Sequence, residues 1–330
     1  MTDKTVLPGV LIASGNWAPE PWAEPFASEP ERPLAIWPDV PDRAAIHYVL
    51  AWRPPAEAFA DLPNLKAVFS LGAGVDHVVG NTALPDVPIV RVVDADLTTR
   101  MTEWVTLQVL LHHRQHLAYT RQQAAHQWRE LRQPVAHDVR VGIMGLGELV
   151  RVGIMGLGEL GRDAVEVLAR LGFQVSGWSR SAKDIAGIEC FHGEDGLTAF
   201  LGRTDILVAL VPLTPDTRGI LNASVFDRLA RNGALGGPVL INAGRGGLQV
   251  DADILAALDD GRLIGASLDV FEPEPLAADS PFWGHPRVVV TPHVAASSEA
   301  SVLAVGIHRQ ILDFEAGKPL GNLVDVARGY

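Results

Sequence analysis

The sequence predicts an α/β protein made of two parallel-sheet units, and three features carry that prediction. Short runs rich in Val, Ile and Leu recur between Pro- and Gly-marked turns, helical stretches alternate with them in the second half of the chain, and 330 residues exceed what one core usually fills. Continuous apolar runs are what strands need when helices cover both faces of a sheet.

In the first half the runs fall at residues 10–13, 34–37, 48–52, 67–71 and 89–93, and read as the parallel strands of a smaller unit. From Glu103 to Arg132 the pattern becomes helical, with Trp104, Leu107, Leu110, Leu111 and Leu117 near helical spacing, until Pro134 ends it. A second unit then alternates helices with runs at 152–155, 174–178, 206–211, 239–242, 265–270 and 288–290, the pattern of a doubly wound sheet. Residues 298–315 are again helical and are expected to return to the first unit. The expected division is therefore 1–103 plus 298–330 against 104–297.

Composition bounds the function. With 48% hydrophobic and 20% charged residues the chain is expected to fold throughout, and its net charge of -12 argues against nucleic acid and anionic membranes as partners. Cys190 is the single cysteine, which excludes an internal disulfide and a thiolate metal cluster. Together with an N-terminal stretch too polar for a signal peptide, this points to the cytoplasm. His112, His113 and His116 share one helical stretch without a neighbouring acid or cysteine, so solvated helix histidines are expected there and no metal.

One segment is abnormal. The sequence RVGIMGLGEL at 140–149 is repeated without change at 151–160, so that an eleven-residue unit is duplicated. The second copy runs into Gly161 and a helical stretch from Arg162, whereas the first ends in Val150. The second copy is therefore expected to form the central strand, with the first extruded. Within it Gly156, Gly158 and Gly161 form Gly-x-Gly-x-x-Gly, with Leu160 inside the motif. Such glycines permit a tight turn, close approach to a pyrophosphate and close helix packing, the marks of a Rossmann-type dinucleotide site.

The following strand runs into Ser179, Arg180 and Ser181, where an NAD-binding chain would carry an acid for the ribose. A guanidinium flanked by two hydroxyls suits a 2′-phosphate instead, so NADP(H) is the expected cofactor, with NAD(H) as a second. Three further residues follow strands at the edge where open α/β sheets bind ligands. Arg245 can hold a carboxylate and polarise a carbonyl. His293 can donate a proton, and Glu274 can stabilise its imidazolium form.

The motifs NAGRGG at 242–247, LDVFEPEPL at 268–276 and TPHVA at 291–295 resemble those of the D-isomer-specific 2-hydroxyacid dehydrogenases, over nearly the whole chain. WRPP at 52–55, LGAGVD at 71–76, WSRS at 178–181 and the terminal ARGY resemble the glyoxylate/hydroxypyruvate reductase subgroup. The resemblance implies a doubly wound Rossmann-type nucleotide domain and a smaller flavodoxin-like α/β substrate domain. It implies reduction of small 2-keto acids, with Arg245 on the substrate, His293 as proton donor and Glu274 tuning it. It places Trp52, Ala73 and Gly74 at the substrate, and Pro212, Leu213, Thr214, Ala243 and Asp269 at the cofactor. It also implies a homodimer. A dinucleotide-sensing corepressor of the same fold is the alternative, since such a protein could keep the same triad.

Overall fold

The computed structural model describes residues 7–72, 74–92, 95–145, 158–297 and 299–326. Among them, residues up to 92 together with 299–326 form one compact unit, and 95–145 with 158–297 form another. The change of unit precedes Ala95 instead of following Glu103, because the helix expected from Glu103 already begins at Ala95.

The first unit contains β1 (Gly9–Ala13), α1 (Glu20–Ala23), β2 (Leu34–Ile36), β3 (Ile46–Ala51), β4 (Ala67–Ser70), α2 (Asp76–Val79) and β5 (Ile89–Val90). Its sheet has the order β2-β1-β3-β4-β5 with every pairing parallel, which is the flavodoxin-like order. Strand alternation sorts the core into two layers. Val10, Ile12, Tyr48, Leu50 and Phe69 pack with Leu303, Ala304, Ile307 and Ile311 of the C-terminal helix α9 (Ala300–Glu315). Leu11, Ala13, Val49, Ala51 and Val68 turn the other way, onto Phe59 and Val78.

A charge cluster around the buried Arg32 fastens α9 to this unit. The Arg32 guanidinium donates to both Glu315 oxygens, at 2.8 and 2.9 Å, and to the carbonyl of Pro8 at 2.6 Å. Its Nε reaches Glu29, which also meets His308 Nε2 at 2.6 Å. Burial by itself would raise the Glu29 carboxyl, but the hydrogen bonds and charges of Arg32 and His308 hold it below its ordinary value.

The second unit opens with α3 (Ala95–His113) and α4 (His116–Ala124). It continues through β6 (Arg140–Met144), α5 (Gly158–Arg170), β7 (Gln174–Ser179), β8 (Glu189–His192), α6 (Gly193–Leu201), β9 (Ile206–Ala209) and α7 (Ala223–Arg228). β10 (Val239–Asn242), α8 (Asp251–Asp259), β11 (Gly265–Leu268) and β12 (Val288–Val290) complete it. The seven strands are parallel, in the order β12-β11-β10-β9-β6-β7-β8. Counted within the unit this is the doubly wound order 3-2-1-4-5-6 with one strand added. Ile206, Val208, Val239 and Ile241 face α3 and α5, while Leu207, Ala209, Leu240 and Leu268 face the layer of α6, α7 and α8.

Four expectations are corrected. The helical stretch breaks at Gln115, whose φ of 53° is left-handed, and it ends at Ala124 instead of Arg132. The cause is packing: Met101, Trp104, Val105 and Val109 bury α3, whereas Gln122 is the buried residue of α4, so little apolar area supports a longer helix. The strand β8 was not expected, since its four residues are half-exposed at the sheet edge. His112 and His113 are buried, not solvated. His112 Nε2 lies 2.9 Å from the Ser267 hydroxyl, which donates to Gln108, and burial pushes the imidazole down to about 4.

The fourth correction concerns the duplication. The central strand is Arg140–Met144 of the first copy, paired with both β7 and β9, and the expected strand at 152–155 lies outside the described residues. The steric argument for the second copy holds for the helix, since α5 includes Gly161, but it does not bind the strand to the same copy. The chain reaches the sheet through Val139, fully buried, and then Arg140. The backbone N and guanidinium of Arg140 donate to buried Asp205 at 2.6 to 2.9 Å.

Arg32→Ala is expected to destabilise the first unit by about 2 kcal/mol, because the buried guanidinium and its charged hydrogen bonds to the partly accessible Glu29 and Glu315 would be lost. Urea unfolding followed by tryptophan fluorescence measures this. A loss below about 1 kcal/mol, the range of an exposed pair, would contradict the role given to the cluster.

Candidate active site

The parallel register aligns the carboxyl ends of β10, β11 and β12: Asn242 stands beside Leu268, and Leu268 beside Val290. The loops that leave these ends carry Arg245, Glu274 and His293. Asp269, 1% exposed, ties two of the loops together. Its carboxylate accepts from the Thr291 hydroxyl at 2.5 Å and from the backbone N–H groups of Val294 and Ala295 at 3.0 and 2.9 Å. Its carbonyl accepts the N–H of His293 at 2.8 Å. These bonds hold His293 at φ 55°, a left-handed conformation that a non-glycine residue adopts where its surroundings impose it.

So placed, His293 Nδ1 lies 3.0 Å from each oxygen of Glu274. Glu274 Oε1 also accepts the Phe271 N–H at 3.1 Å, which fixes the carboxylate from its own loop. An Nδ1–H donated to Glu274 sets the ring's orientation and leaves Nε2 as the nitrogen for proton transfer. The pair is partly accessible, at 35% for the His293 side chain and 17% for Glu274.

Arg245 is placed by an Asn turn. The fully buried Asn242 accepts from Gly244 N at 3.1 Å and donates to the Arg245 carbonyl at 3.2 Å and to Gln249 at 2.9 Å. The Arg245 Nη1 donates to the Gly244 carbonyl at 2.8 Å. Gly246 then presses on the neighbouring loop: a Cβ there would lie 2.0 Å from the Phe271 carbonyl carbon. Backbone contact of this kind brings the arginine loop against the loop that carries Glu274. Asn242 was absent from the sequence-based set, although Asn-x-Gly after a buried strand is a readable turn signal.

The glycine turn is composite. Gly145, from the first copy, has φ +115°, and a Cβ on it would lie 2.7 Å from Leu210 C. Gly161, from the second copy, is buried in α5, and its Cβ would lie 3.0 Å from the Gly145 carbonyl oxygen. The first and third glycine positions of the motif are thus Gly145 and Gly161, with residues 146–156 inserted between them. Gly158 and Leu160 lie in the first turn of α5, whereas Gly156, expected in the first position, lies outside the described residues.

On the adjacent strand the buried Ser179 donates to the Ser181 carbonyl at 2.7 Å, and Arg180 Nη1 stands 3.5 Å from Asp216 in an exposed pair. Pro212, Leu213 and Thr214 form a tight turn, in which Thr217 donates to the Pro212 carbonyl at 2.7 Å and accepts from Thr214 N at 2.8 Å. Ala243 is buried and donates to the Ala209 carbonyl. Asp269, expected near the cofactor, uses its carboxylate to hold the loop of His293. Among the described residues no group of three or more His, Cys, Asp and Glu could hold a metal. No helix among them is long and apolar enough to cross a membrane.

In the first unit Trp52 follows β3 and its backbone N–H donates to the Ala13 carbonyl at 2.9 Å. Its ring lies against Gly72, where a Cβ would approach it to 2.3 Å. Gly74 is buried and its carbonyl accepts the Ser70 hydroxyl at 3.2 Å, while Ala73 lies outside the described residues.

The family model described as D-isomer specific 2-hydroxyacid dehydrogenase, NAD binding domain, matches residues 148–295. A glyoxylate/hydroxypyruvate reductase A of Yersinia enterocolitica is 39% identical over 88% of this chain and 89% of its own length. The crystal structure of an NADPH-dependent glyoxylate/hydroxypyruvate reductase from Sinorhizobium meliloti, in complex with NADP and sulfate, shares 51% identity at a TM-score of 0.88, covering 98% of this chain and all of that one. A probable 2-hydroxyacid dehydrogenase from Rhizobium etli, in complex with NADP, HEPES and L(+)-tartaric acid, shares 45% identity at a TM-score of 0.87, over 98% of this chain and 99% of its own.

The family match begins inside the duplication and runs through the second copy, whereas the strand is built from the first. Gly145→Val is therefore expected to lower the melting temperature and weaken NADPH binding at least tenfold, and Gly156→Val to leave both nearly unchanged, the first because it forces backbone apart at Leu210. Deleting residues 146–156 joins Gly145 to Leu157 in an uninterrupted motif and is expected to preserve or tighten binding. The opposite ranking of the two valine variants in a fluorescence titration would put the second copy in the central strand.

Proposed function

This chain belongs to the D-isomer-specific 2-hydroxyacid dehydrogenase family, and on that premise we propose that it reduces small 2-keto acids, glyoxylate and hydroxypyruvate among them, to 2-hydroxy acids with NADPH. The observation that carries the reading is the Glu274–His293 pair, 3.0 Å apart and anchored by Asp269 beside the loop of Arg245. A proton donor, a carboxylate that orients it and a guanidinium at one sheet edge are what carbonyl reduction of a carboxylic acid requires.

NADPH, when bound, supplies a hydride to the carbonyl carbon. His293 delivers a proton to the carbonyl oxygen from Nε2, and the Glu274 carboxylate stabilises the imidazolium that precedes transfer. Arg245 holds the substrate carboxylate and polarises the carbonyl. The residues present suit a phosphorylated dinucleotide: the glycine positions at 145 and 161 exclude side chains where α5 starts, and Arg180 stands after β7 without an acid in its place. Ser179, Ser181 and the turn of Pro212, Leu213 and Thr214 would contact the same group. Trp52, Ala73 and Gly74 would line the substrate side. The enzyme acts as a homodimer, as the resemblance implies, and in the cytoplasm, as its single cysteine and polar N-terminal stretch suggest.

Two measurements test this reading. His293→Ala is expected to cut kcat with glyoxylate by about 10²- to 10⁴-fold while NADPH affinity changes little, since proton donation acts in the transition state. Arg245→Ala should raise KM as well, because it holds the ground-state carboxylate too. An undiminished rate of the His293 variant near neutral pH would remove it from the mechanism. For the cofactor, the unmodified enzyme is expected to favour NADPH over NADH, and Arg180→Asp to narrow or invert that preference. Equal use of both coenzymes before substitution would refute the assignment of Arg180.

A further inference from the structure

In the sheet of the second unit β10 lies between β9 and β11, so the loop of Arg245 stands between the loop after β9 and the loop that carries Glu274. An ion pair crosses it. Arg218 Nη1 donates to Glu272 Oε2 at 2.6 Å, and Nη2 donates to Oε1 at 3.4 Å. Gly247, in the loop of Arg245, makes room for the crossing: a Cβ there would lie 2.9 Å from Arg218 Nη1, from Glu272 Oε2 and from the Leu213 side chain. The backbone of Arg218 is itself fixed. Its N–H donates to the Thr214 carbonyl at 3.0 Å, and the residues that follow run along the loop of Arg245, with Gly219 N on the Gly247 carbonyl at 2.9 Å and Leu221 N on the Leu248 carbonyl at 2.8 Å.

We infer that Arg218 is a positioning residue: through Glu272 it holds the segment 271–274 and thereby keeps the Glu274 carboxylate on His293. The inference rests on the proposed reading of Glu274 and His293 as the proton-donating pair. Pro273 and Pro275, on either side of Glu274, have no backbone N–H, so the segment has few main-chain donors with which to anchor itself. Gly246 bears on it at Phe271, and Arg218 grips the next residue. Glu272 stands two positions before Glu274, so a shift of the first carries the second away from Nδ1 of a histidine whose own loop is tied to Asp269. The two partners are 56% and 55% exposed, so the pair adds little to global stability. Its effect is local, on where one carboxylate stands.

The experiment pairs glyoxylate reduction by the full-length protein with NADPH and backbone hydrogen exchange read by mass spectrometry, for Arg218→Met, Glu272→Gln and the combined exchange of Arg218→Glu with Glu272→Arg. Each single variant is expected to lower kcat by about fivefold, the scale of one exposed ion pair, with KM for glyoxylate and the melting temperature little changed. Hydrogen exchange should quicken in peptides covering 271–276 and stay as it was in the sheet. The combined exchange should restore most of both properties, because the pair is re-formed with its charges reversed. A direct contact of Arg218 with the coenzyme predicts a different pattern: Arg218→Met would weaken NADPH binding while Glu272→Gln kept its kcat, and that result overturns the inference. A fall in melting temperature with exchange quickened throughout the second unit would mark a merely structural role and overturn it too. So would a kcat within about twofold of the unmodified protein in both single variants, whether or not the segment loosens. If the unmodified protein does not reduce glyoxylate, the proposed function fails by itself, and exchange at 271–276 still decides whether Arg218 holds the segment.

Discussion

The carboxylate of Asp269 is the constraint on which the geometry of the candidate site depends. Buried at the end of β11, it would be costly unless its oxygens were filled, and they are filled by one hydroxyl and two backbone N–H groups of the segment after β12. That segment is thereby drawn to the neighbouring strand's end, and His293 is turned into a left-handed conformation that places Nδ1 on Glu274. Loss of the Ala295 bond would leave one carboxylate oxygen unpaired, and loss of the Thr291 or Val294 bond would leave the other with a single donor, so departures from this loop arrangement are costly. The accessible pair is rigid because an inaccessible group behind it is fully satisfied.

The arginine side of the site is built by a different device with the same effect. Asn242 continues β10 as a buried strand residue, yet its amide organises the following turn through Gly244, Arg245 and Gln249. Gly246 then removes the side chain that would separate this turn from Phe271 and Glu272. Two loops that sequence places about thirty residues apart are thus locked backbone to backbone. Position is set by small groups and hydrogen bonds, not by the charged atoms of Arg245, to which the proposed chemistry assigns the substrate.

The duplicated segment shows how a doubly wound unit absorbs an insertion. Strand and helix are separate commitments: the strand needs partners on both sides, which Val141 to Met144 find in β7 and β9, and the helix needs a small residue where it crosses the strand's end, which Gly161 provides. Copies of identical sequence can be divided between these needs, with eleven extra residues in the sequence between the end of β6 and the start of α5. The described residues on either side of it, Gly145 and the start of α5, stand at the edge where the dinucleotide is proposed to bind, which makes cofactor affinity, more than folding, the property to measure.

Much was determined by the sequence alone: the two parallel-sheet units, nearly all their strands, the helix that returns at the C-terminus, and the residues after β10, β11 and β12 that make up the candidate site. These were legible because continuous apolar runs and strand-end motifs are local signals, which the chain carries whatever its tertiary contacts. Tertiary structure decided what local sequence left degenerate. Two identical copies have the same propensity, and Val150 and Arg151 repeat Val139 and Arg140, so the strand's own residues do not choose between them; the fold sets the first copy between β7 and β9. The end of the helical stretch at Ala124, the neutral burial of His112 on Ser267, and the use of Asp269 as an anchor depend on partners distant in sequence. In each case a residue's role was fixed by which polar or apolar group the fold set against it, and that pairing exists only once the sheet has formed.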